Sequence, residues 1–567
     1  MDPSAGPATG CPVTLPTAFG PRAKVIALGL AMLAVGVTGI AYEYSFSKLA
    51  SDILGDPLSQ WAITIGLMML FMGLGADQQK RLADRHLAWG LMWAQLALSF
   101  SGGLGPGLSL WFFGHEQDYF TLAHYSLVAL VGFLVGLEIP LLTRLNQVYL
   151  PELKDNLSLI LKMDYLGAFV GAILWLFLLP RVAGLLQTGL WMGLVNLSVA
   201  GLVLVLFRNQ IPQVFWQAVA LLSLGAVLVG LIPRAETIQT HLEQKLFKDR
   251  IVLNETSLYQ KIILTQKTNG ELRLYLNGHL QFCSSDEFIY HEMLTHPALG
   301  LLPQARRALV LGGGDGLALR ELLKYPQLAE VDLIDLDPAI TELATRNPIL
   351  AQLNQGSLQR AQVIASQGVS PGPEETIALT GLGYFRSQKE SYAKVRIMNL
   401  DALTFIQAAT GFYDVMILDF PDPNSPTLAK LYSVEFYEQL KARLVPGGLI
   451  LQQGGSPAFA KEAFLMVGRS MQAAGLATMP LHQVVPSFGD WGFWLAGHAE
   501  VYGSQGLASK LAGQWALPPG LRYVTPDLIS ASSRWGRSSL ETQNQGVNRL
   551  LQGEIFYLYR DAWLELK

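Results

Sequence analysis

The run Leu309-Val310-Leu311-Gly312-Gly313-Gly314-Asp315-Gly316 decides how the second half of this chain folds. Apolar residues break into a glycine turn, the pattern of a buried strand whose carboxyl end lets a nucleoside approach the backbone. Further along, Asp419-Phe420-Pro421-Asp422-Pro423 ends a second apolar strand with two carboxylates on a proline-stiffened loop. Together the two strand ends describe a site for a nucleoside beside a multiply charged cation.

From Arg307 onward the chain alternates strand, turn and helix. Strands are predicted at 308–311, 331–335, 395–400, 413–418 and 449–453, which predicts a right-handed, mainly parallel α/β sheet with ligands at its carboxyl ends. Each end offers something. The turn of Gly312, Gly313, Gly314 and Gly316 follows the first strand, Asp335 the second, Asp401-Ala402 the third and Asp419 the fourth. Asp335 lies 19 residues past Gly316, where an acid holds ribose hydroxyls in such folds. Asp401-Ala402 is placed to meet an adenine. A dinucleotide site predicts Gly-x-Gly-x-x-Gly, but position 317 is Leu, so the pattern favours a methyltransferase-like, Rossmann-like nucleoside site. A methyltransferase acting on nitrogen would typically carry Asn or Asp followed by Pro-Pro and an aromatic at the fourth strand. Here Asp419 and Asp422, beside a cationic ligand, point instead to a substrate that is itself positive. Turn formation next to Pro421 and Pro423 accounts for one of these acids more readily than for both.

Ahead of this domain, 259–266, 271–276 and 279–282 read as short strands joined by Asn269-Gly270 and Asn277-Gly278 turns. They make a small β unit at 253–285, followed by the α/β domain and its C-terminal extension at 286–567. Residues 234–252 read as a connecting segment, amphipathic from Glu236 to Arg250.

The first 233 residues are of another kind. The whole chain of 567 residues is 51% hydrophobic and 15% charged, too apolar for an ordinary soluble protein. After a tail at 1–23, apolar spans at 25–42, 58–76, 87–105, 122–143, 165–179, 185–207 and 214–232 predict a seven-helix membrane domain over 24–233. Buried helices of a large soluble protein would show polar faces at a 3.6-residue period, and these spans lack them. No small-residue cleavage pattern follows the first span, so it is expected to be retained. Glu138 and Asp164 fall within or beside these helices and are functional candidates by default, against the plainer reading of a packing hydrogen bond. Gly132 and Gly136 suit helix packing. Cys11 and Cys283 match no metal-ligand or redox spacing, so no metal site is expected, and a net charge of −4 gives no reason to expect nucleic acid.

Loop charges set up a conflict. Arg22, Lys24, Lys80, Arg81, Arg85, Arg144, Lys154, Lys162 and Arg208 lie on one side of the predicted spans, against Lys48 and Arg181 on the other. That places the N-terminus in the cytoplasm, and seven crossings then put the second half outside. A nucleoside made in the cytosol requires the opposite. We favour a multi-pass protein of the cell membrane with a cytoplasmic catalytic domain, which needs one span to be re-entrant or the charge rule to fail.

From about Leu253 to Ala496 the chain resembles the spermidine synthases, the polyamine aminopropyltransferases, and its apolar half looks like their long, membrane-attached bacterial members. The matching stretches are Tyr259-Gln260, Leu276 to Gln281, Asp286 to Glu292, the Gly-Gly-Gly-Asp-Gly turn, Asp419 to Pro423, Leu431-Tyr432 before Glu435-Phe436-Tyr437, and Pro486-Ser487-Phe488 before Gly492-Phe493. The resemblance implies transfer of an aminopropyl group from decarboxylated S-adenosylmethionine, a co-substrate and not a cofactor, to a diamine such as putrescine. It implies Asp419 as the group that accepts the amine proton or orients the nitrogen, and Asp422 as the holder of a diamine ammonium. Tyr290 would pack near the methylenes and Gln453 near the amine. Asp315 would accept the aminopropyl ammonium and repel the carboxylate of intact S-adenosylmethionine. Gln260 and His291 look like further donor-substrate contacts. Active members are commonly homo-oligomers.

Plainer roles stand beside these: Tyr290 and Phe488 as core aromatics, His291 as a helix cap and Trp491 as a large core residue. The sequence also departs from the family pattern. Asn277 replaces an acid, Asp335 stands where Glu is usual, Phe488 replaces a Tyr, and 346–393 reads as an insertion. Two other functions are carried forward. A methyltransferase would use intact S-adenosylmethionine and tolerate Asp422→Asn; a non-catalytic polyamine binder or transporter would tolerate Asp419→Asn.

Overall fold

The computed structural model describes residues 20–54, 57–360, 362–365, 393–503 and 506–565. The chain divides into two compact units, Met1–Lys248 and Asp249–Lys567.

Among the described residues, seven helices of the first unit are long and apolar enough to cross a membrane, beginning with Pro21–Leu54 and ending with the segment Val214–Leu246. Their contacts follow from small residues. A Cβ on Gly136 would lie 2.1 Å from the Met72 carbonyl oxygen, and one on Gly167 would lie 2.2 Å from that of Leu33. Helix Phe120–Gln147 therefore meets Pro57–Gln78, and Leu153–Phe177 meets Pro21–Leu54, backbone against backbone. The span expected at 165–179 starts twelve residues earlier, at Leu153, which moves Asp164 into mid-helix. Buried polar groups join helices. The Gln95 amide donates to Glu138 Oε1 at 2.5 Å, and Asn196 links Thr38 to Tyr42, accepting from Thr38 Oγ1 and donating to Tyr42 Oη, each at 2.9 Å. Glu138 thus makes the packing bond that is its plainer role.

The second unit opens with four antiparallel strands: β1 Arg250–Thr256, β2 Lys261–Gln266, β3 Leu272–Leu276 and β4 His279–Cys283. The β unit therefore begins at Arg250, inside the stretch read as a connector to 252. As a mostly exposed edge strand, β1 has only the short apolar run Ile251-Val252-Leu253, which does not alternate as a half-buried strand would. Asn277 and Gly278 both take positive φ, 49° and 82°, and Asn277 Oδ1 accepts from the Lys261 N–H at 3.0 Å. Asn is well suited to that tight turn, which explains why the acid is dispensable there.

An eight-stranded sheet follows, in the order β11-β12-β10-β9-β5-β6-β8-β7. Its strands are β5 Arg307–Gly312, β6 Glu330–Asp335, β7 Gln362–Ala365, β8 Lys394–Asn399, β9 Tyr413–Asp419, β10 Leu444–Gly455, β11 Leu476–Val485 and β12 Gly489–His498. The first six are parallel, and β11 and β12 close one edge antiparallel. Alternate residues of β5 feed opposite cores: Ala308 and Val310 one face, Leu309 and Leu311 the other. Covering both faces is why these strands read as continuous apolar runs.

Chain order reverses at β5. Its neighbours are β6, the next strand in sequence, and β9, so a crevice opens between their carboxyl ends.

Candidate active site

The crevice is built by glycine. Gly312 pairs in register with Asp419, and a Cβ on Gly312 would sit 2.1 Å from the Asp419 carbonyl oxygen. Gly312, Gly313 and Gly316 have φ of 82°, 67° and 79°, which L side chains rarely adopt. Gly314 lacks that constraint, yet a Cβ there would lie 2.6 Å from Asp335 Oδ2, into which the Gly314 N–H donates at 2.8 Å. The other Asp335 oxygen accepts from Asp337 N at 2.9 Å, and Asp337 accepts from the Gln260 amide, also at 2.9 Å. Gln260, Asp335 and the turn therefore form one connected wall.

Two supports of that wall were not foreseen. Asn354 donates to the Asp315 carbonyl oxygen at 3.0 Å, and Ser357 Oγ to that of Gly316 at 2.7 Å. Both belong to the stretch read as an insertion, whose first part contains helix Pro348–Leu353 and β7. Residues 366–392 of it lie outside the described residues.

Across the crevice stands the acidic loop. Tyr290 Oη, from helix Glu287–Leu299, donates to Asp419 Oδ1 at 2.7 Å. Gln453 donates to Asp422 Oδ1 at 3.2 Å and to the Phe420 carbonyl oxygen at 2.6 Å, while its own oxygen accepts from Gly455 N at 2.8 Å. It is 2% exposed and committed at both ends, so it serves the loop and reaches any amine through Asp422. Tyr559 Oη donates to Asp422 Oδ2 at 2.8 Å. Phe488 packs 6.0 Å from the Tyr290 ring and 4.8 Å from Trp491, and its loop is fixed by Asp286, which accepts from Ser487 N and Oγ at 2.6 and 3.0 Å.

Electrostatically the site lacks balance. Burial raises the pKa of Asp315, Asp335, Asp419 and Asp422, and pushes Asp335 and Asp419 up to about 6. Among the described residues, no Lys or Arg forms an ion pair with any of the four. The nearby cation is His291. Burial alone would lower its pKa, but its bond to Glu287 at 3.0 Å, with the charges of Glu287, Asp315 and Asp419, raises it to about 9. Arg320 holds Glu287 in turn through two 2.9 Å bonds. His291 is therefore an imidazolium that draws down the pKa values of Asp315 and Asp419, and its Nδ1 also bonds the Glu287 carbonyl at 2.8 Å.

Asp401 has a local structural role. Its Oδ1 caps helix Ala402–Ala408 by accepting from Thr404 N at 3.0 Å, and its Oδ2 pairs with Lys430 at 2.8 Å. Although burial raises its pKa, those bonds bring it below the usual carboxylate range. Ala402 is buried at the start of the helix.

Comparison with known proteins places the chain in a family. The sequence profile described as "Spermine/spermidine synthase domain" matches residues 287–369 and 382–500. A polyamine aminopropyltransferase of Oceanobacillus iheyensis is 34% identical over 93% of this chain and 96% of its own length. Polyamine aminopropyltransferase 1 of Streptomyces coelicolor is 35% identical over 98% of both chains. The solved spermidine synthase of Thermotoga maritima aligns with a TM-score of 0.40 and 20% identity, over 51% of this chain and 87% of that one. With glycine turn, acidic loop and full-length relatives in agreement, the chain belongs to the spermine/spermidine synthase family and is an aminopropyltransferase.

Proposed function

We propose that the enzyme transfers the aminopropyl group of decarboxylated S-adenosylmethionine to putrescine, giving spermidine and methylthioadenosine. The observation that carries this reading is the set of half-buried carboxylates Asp315, Asp419 and Asp422, which have no Lys or Arg ion-pair partner among the described residues and gather at one strand-order reversal. Carboxylates withdrawn from water without a Lys or Arg partner are costly to ionise, and a cationic substrate offsets that cost.

In the reaction, a neutral amine nitrogen of the acceptor attacks the aminopropyl carbon bonded to sulfur. The N–C bond forms as the C–S bond breaks, and sulfur keeps the electron pair as a neutral thioether. The sulfonium is already a good leaving group, so the protein must position the reactants and remove a proton. Asp419 accepts the proton of the acceptor's ammonium, which frees the nitrogen lone pair for attack, and the secondary amine formed leaves as its ammonium. The pKa of about 6 keeps Asp419 ionised at neutral pH yet nearer to neutrality than an exposed carboxylate. Tyr290 supports Asp419 Oδ1, while Oδ2 lies toward Gly313, on the nucleoside side. Asp422 holds the distal ammonium with Gln453 behind it. Asp335 and Gln260 line the ribose, Asp401-Ala402 the adenine, and Asp315 the aminopropyl ammonium beside His291. Apart from the co-substrate, this scheme requires no cofactor.

We also propose that the seven apolar helices cross the cell membrane, with the catalytic half in the cytoplasm where the nucleoside is made, and that the enzyme is a homo-oligomer. Acceptor choice is tested with putrescine, cadaverine and spermidine on the purified full chain. Putrescine should give the highest kcat/KM, and preference for another amine would replace it as the acceptor. A C-terminal alkaline phosphatase fusion should be inactive in cells; an active one would place the catalytic half outside.

A further inference from the structure

The acidic loop is completed by a part of the chain beyond the family match. The matched residues end at 500, whereas helix Glu554–Glu565 lies well past it. Asn548, fully buried, fastens this extension: it donates to the Ala429 carbonyl oxygen at 2.7 Å, and its own carbonyl accepts from Val434 N at 2.9 Å. Leu550 N adds a 2.9 Å bond to Glu435. The helix then turns Ile555, Phe556 and Tyr559 into the apolar core that also contains Phe420 and Tyr432. Tyr559 is 8% exposed, and its hydroxyl meets Asp422 Oδ2 at 2.8 Å, while Gln453 meets Oδ1. One helical turn on, Trp563 lies 6.1 Å from the Tyr559 ring and 5.8 Å from Phe459, both distances between ring centres.

We propose that Tyr559 is a positioning residue for the amine acceptor: its hydroxyl and the Gln453 amide grip Asp422 from two sides and fix the carboxylate that receives the distal ammonium. This rests on the assignment of Asp422 to the acceptor. A carboxylate on a loop can rotate about its side-chain torsions, and two donors on separate oxygens hold one rotamer. Gln453 alone leaves Oδ2 unanchored. The C-terminal helix therefore belongs to the acceptor site and not only to the core.

Tyr559→Phe keeps the ring in the core and removes the hydroxyl. With the full chain in detergent, KM for putrescine should rise roughly 10-fold or more, the scale of a hydrogen bond to a charged group, while KM for decarboxylated S-adenosylmethionine and kcat stay within about twofold. Asp422→Asn in the same assay separates the two claims. If it leaves the putrescine KM unchanged, the assignment of Asp422 fails. If Asp422→Asn raises that KM and Tyr559→Phe does not, the Tyr559 grip alone is overturned. Equal loss in both substrates' KM and in kcat for Tyr559→Phe would mark a general structural role and would also overturn it.

Discussion

Replacing Asp419 with Asn should make the protein more stable while stopping the reaction. Folding raises the Asp419 pKa from 3.8 to about 6, chiefly by burial. A folded-state pKa above the unfolded value means that the native state holds the proton more tightly. This group's contribution to stability is therefore full below about pH 4 and lost as pH rises through 6. Roughly two pKa units at ~1.36 kcal/mol each set an upper bound of about 3 kcal/mol on the cost of the ionised group at pH 8. Partial exposure reduces this to ~1–2 kcal/mol, or roughly 2–6 °C in melting temperature for a domain of this size. Asn is isosteric and its carbonyl still accepts the Tyr290 hydroxyl, so the variant relieves the charge without opening a cavity. Thermal unfolding of the full chain in detergent, followed by tryptophan fluorescence, reads the difference at pH 8 and at pH 4.5. The gain should be present in full at pH 8 and fall to about a third at pH 4.5, where the native carboxyl is protonated but the unfolded one is still largely ionised. A variant less stable than wild type at pH 8, or one with an equal gain at both pH values, would refute the claim that desolvation of Asp419 outweighs the support of Tyr290 and His291.

Other consequences follow from the same geometry. The kcat/KM for the amine should rise with an apparent pKa near 6 as Asp419 ionises; His291→Gln removes the imidazolium and should move that pKa upward, so an unmoved profile would separate His291 from Asp419. Gly314→Ala drives a methyl into Asp335 and should raise KM for the nucleoside about 10-fold or more with little change for the diamine; equal effects on both would contradict the assignment of Asp335. Arg320→Met strands Glu287 and Glu321 in the core and should cost about 3–5 kcal/mol by denaturant unfolding, and a loss below ~1 kcal/mol would show that the network is not buried as described.

What the sequence revealed depended on where each signal was written. The central strands were legible because a parallel sheet covered on both faces needs unbroken apolar runs, and the glycine turn because Gly312, Gly313 and Gly316 adopt φ values that select for glycine. The antiparallel pair β11 and β12 has mixed polarity, and neither strand was assigned in advance. Tyr559 touches Asp422 across 137 positions, and no local spacing reports such a contact. Glu292 shows the same limit: from the middle of a helix it accepts the N–H groups of Arg522, Tyr523 and Val524 at 2.8–2.9 Å, anchoring the extension that carries Tyr559. Asp401 offered a local signal, an acid at a helix start with Thr404 three residues on, and that signal is the cap it makes.

The most direct test of the account is release of methylthioadenosine from decarboxylated S-adenosylmethionine by the purified full chain, with and without putrescine, beside Asp419→Asn. We expect release that requires the amine and falls roughly 10²–10⁴-fold in the variant, the range for loss of a positioned proton acceptor. Release that ignores the amine, or persists undiminished in Asp419→Asn, would contradict the assignment of the acidic loop as the centre of aminopropyl transfer.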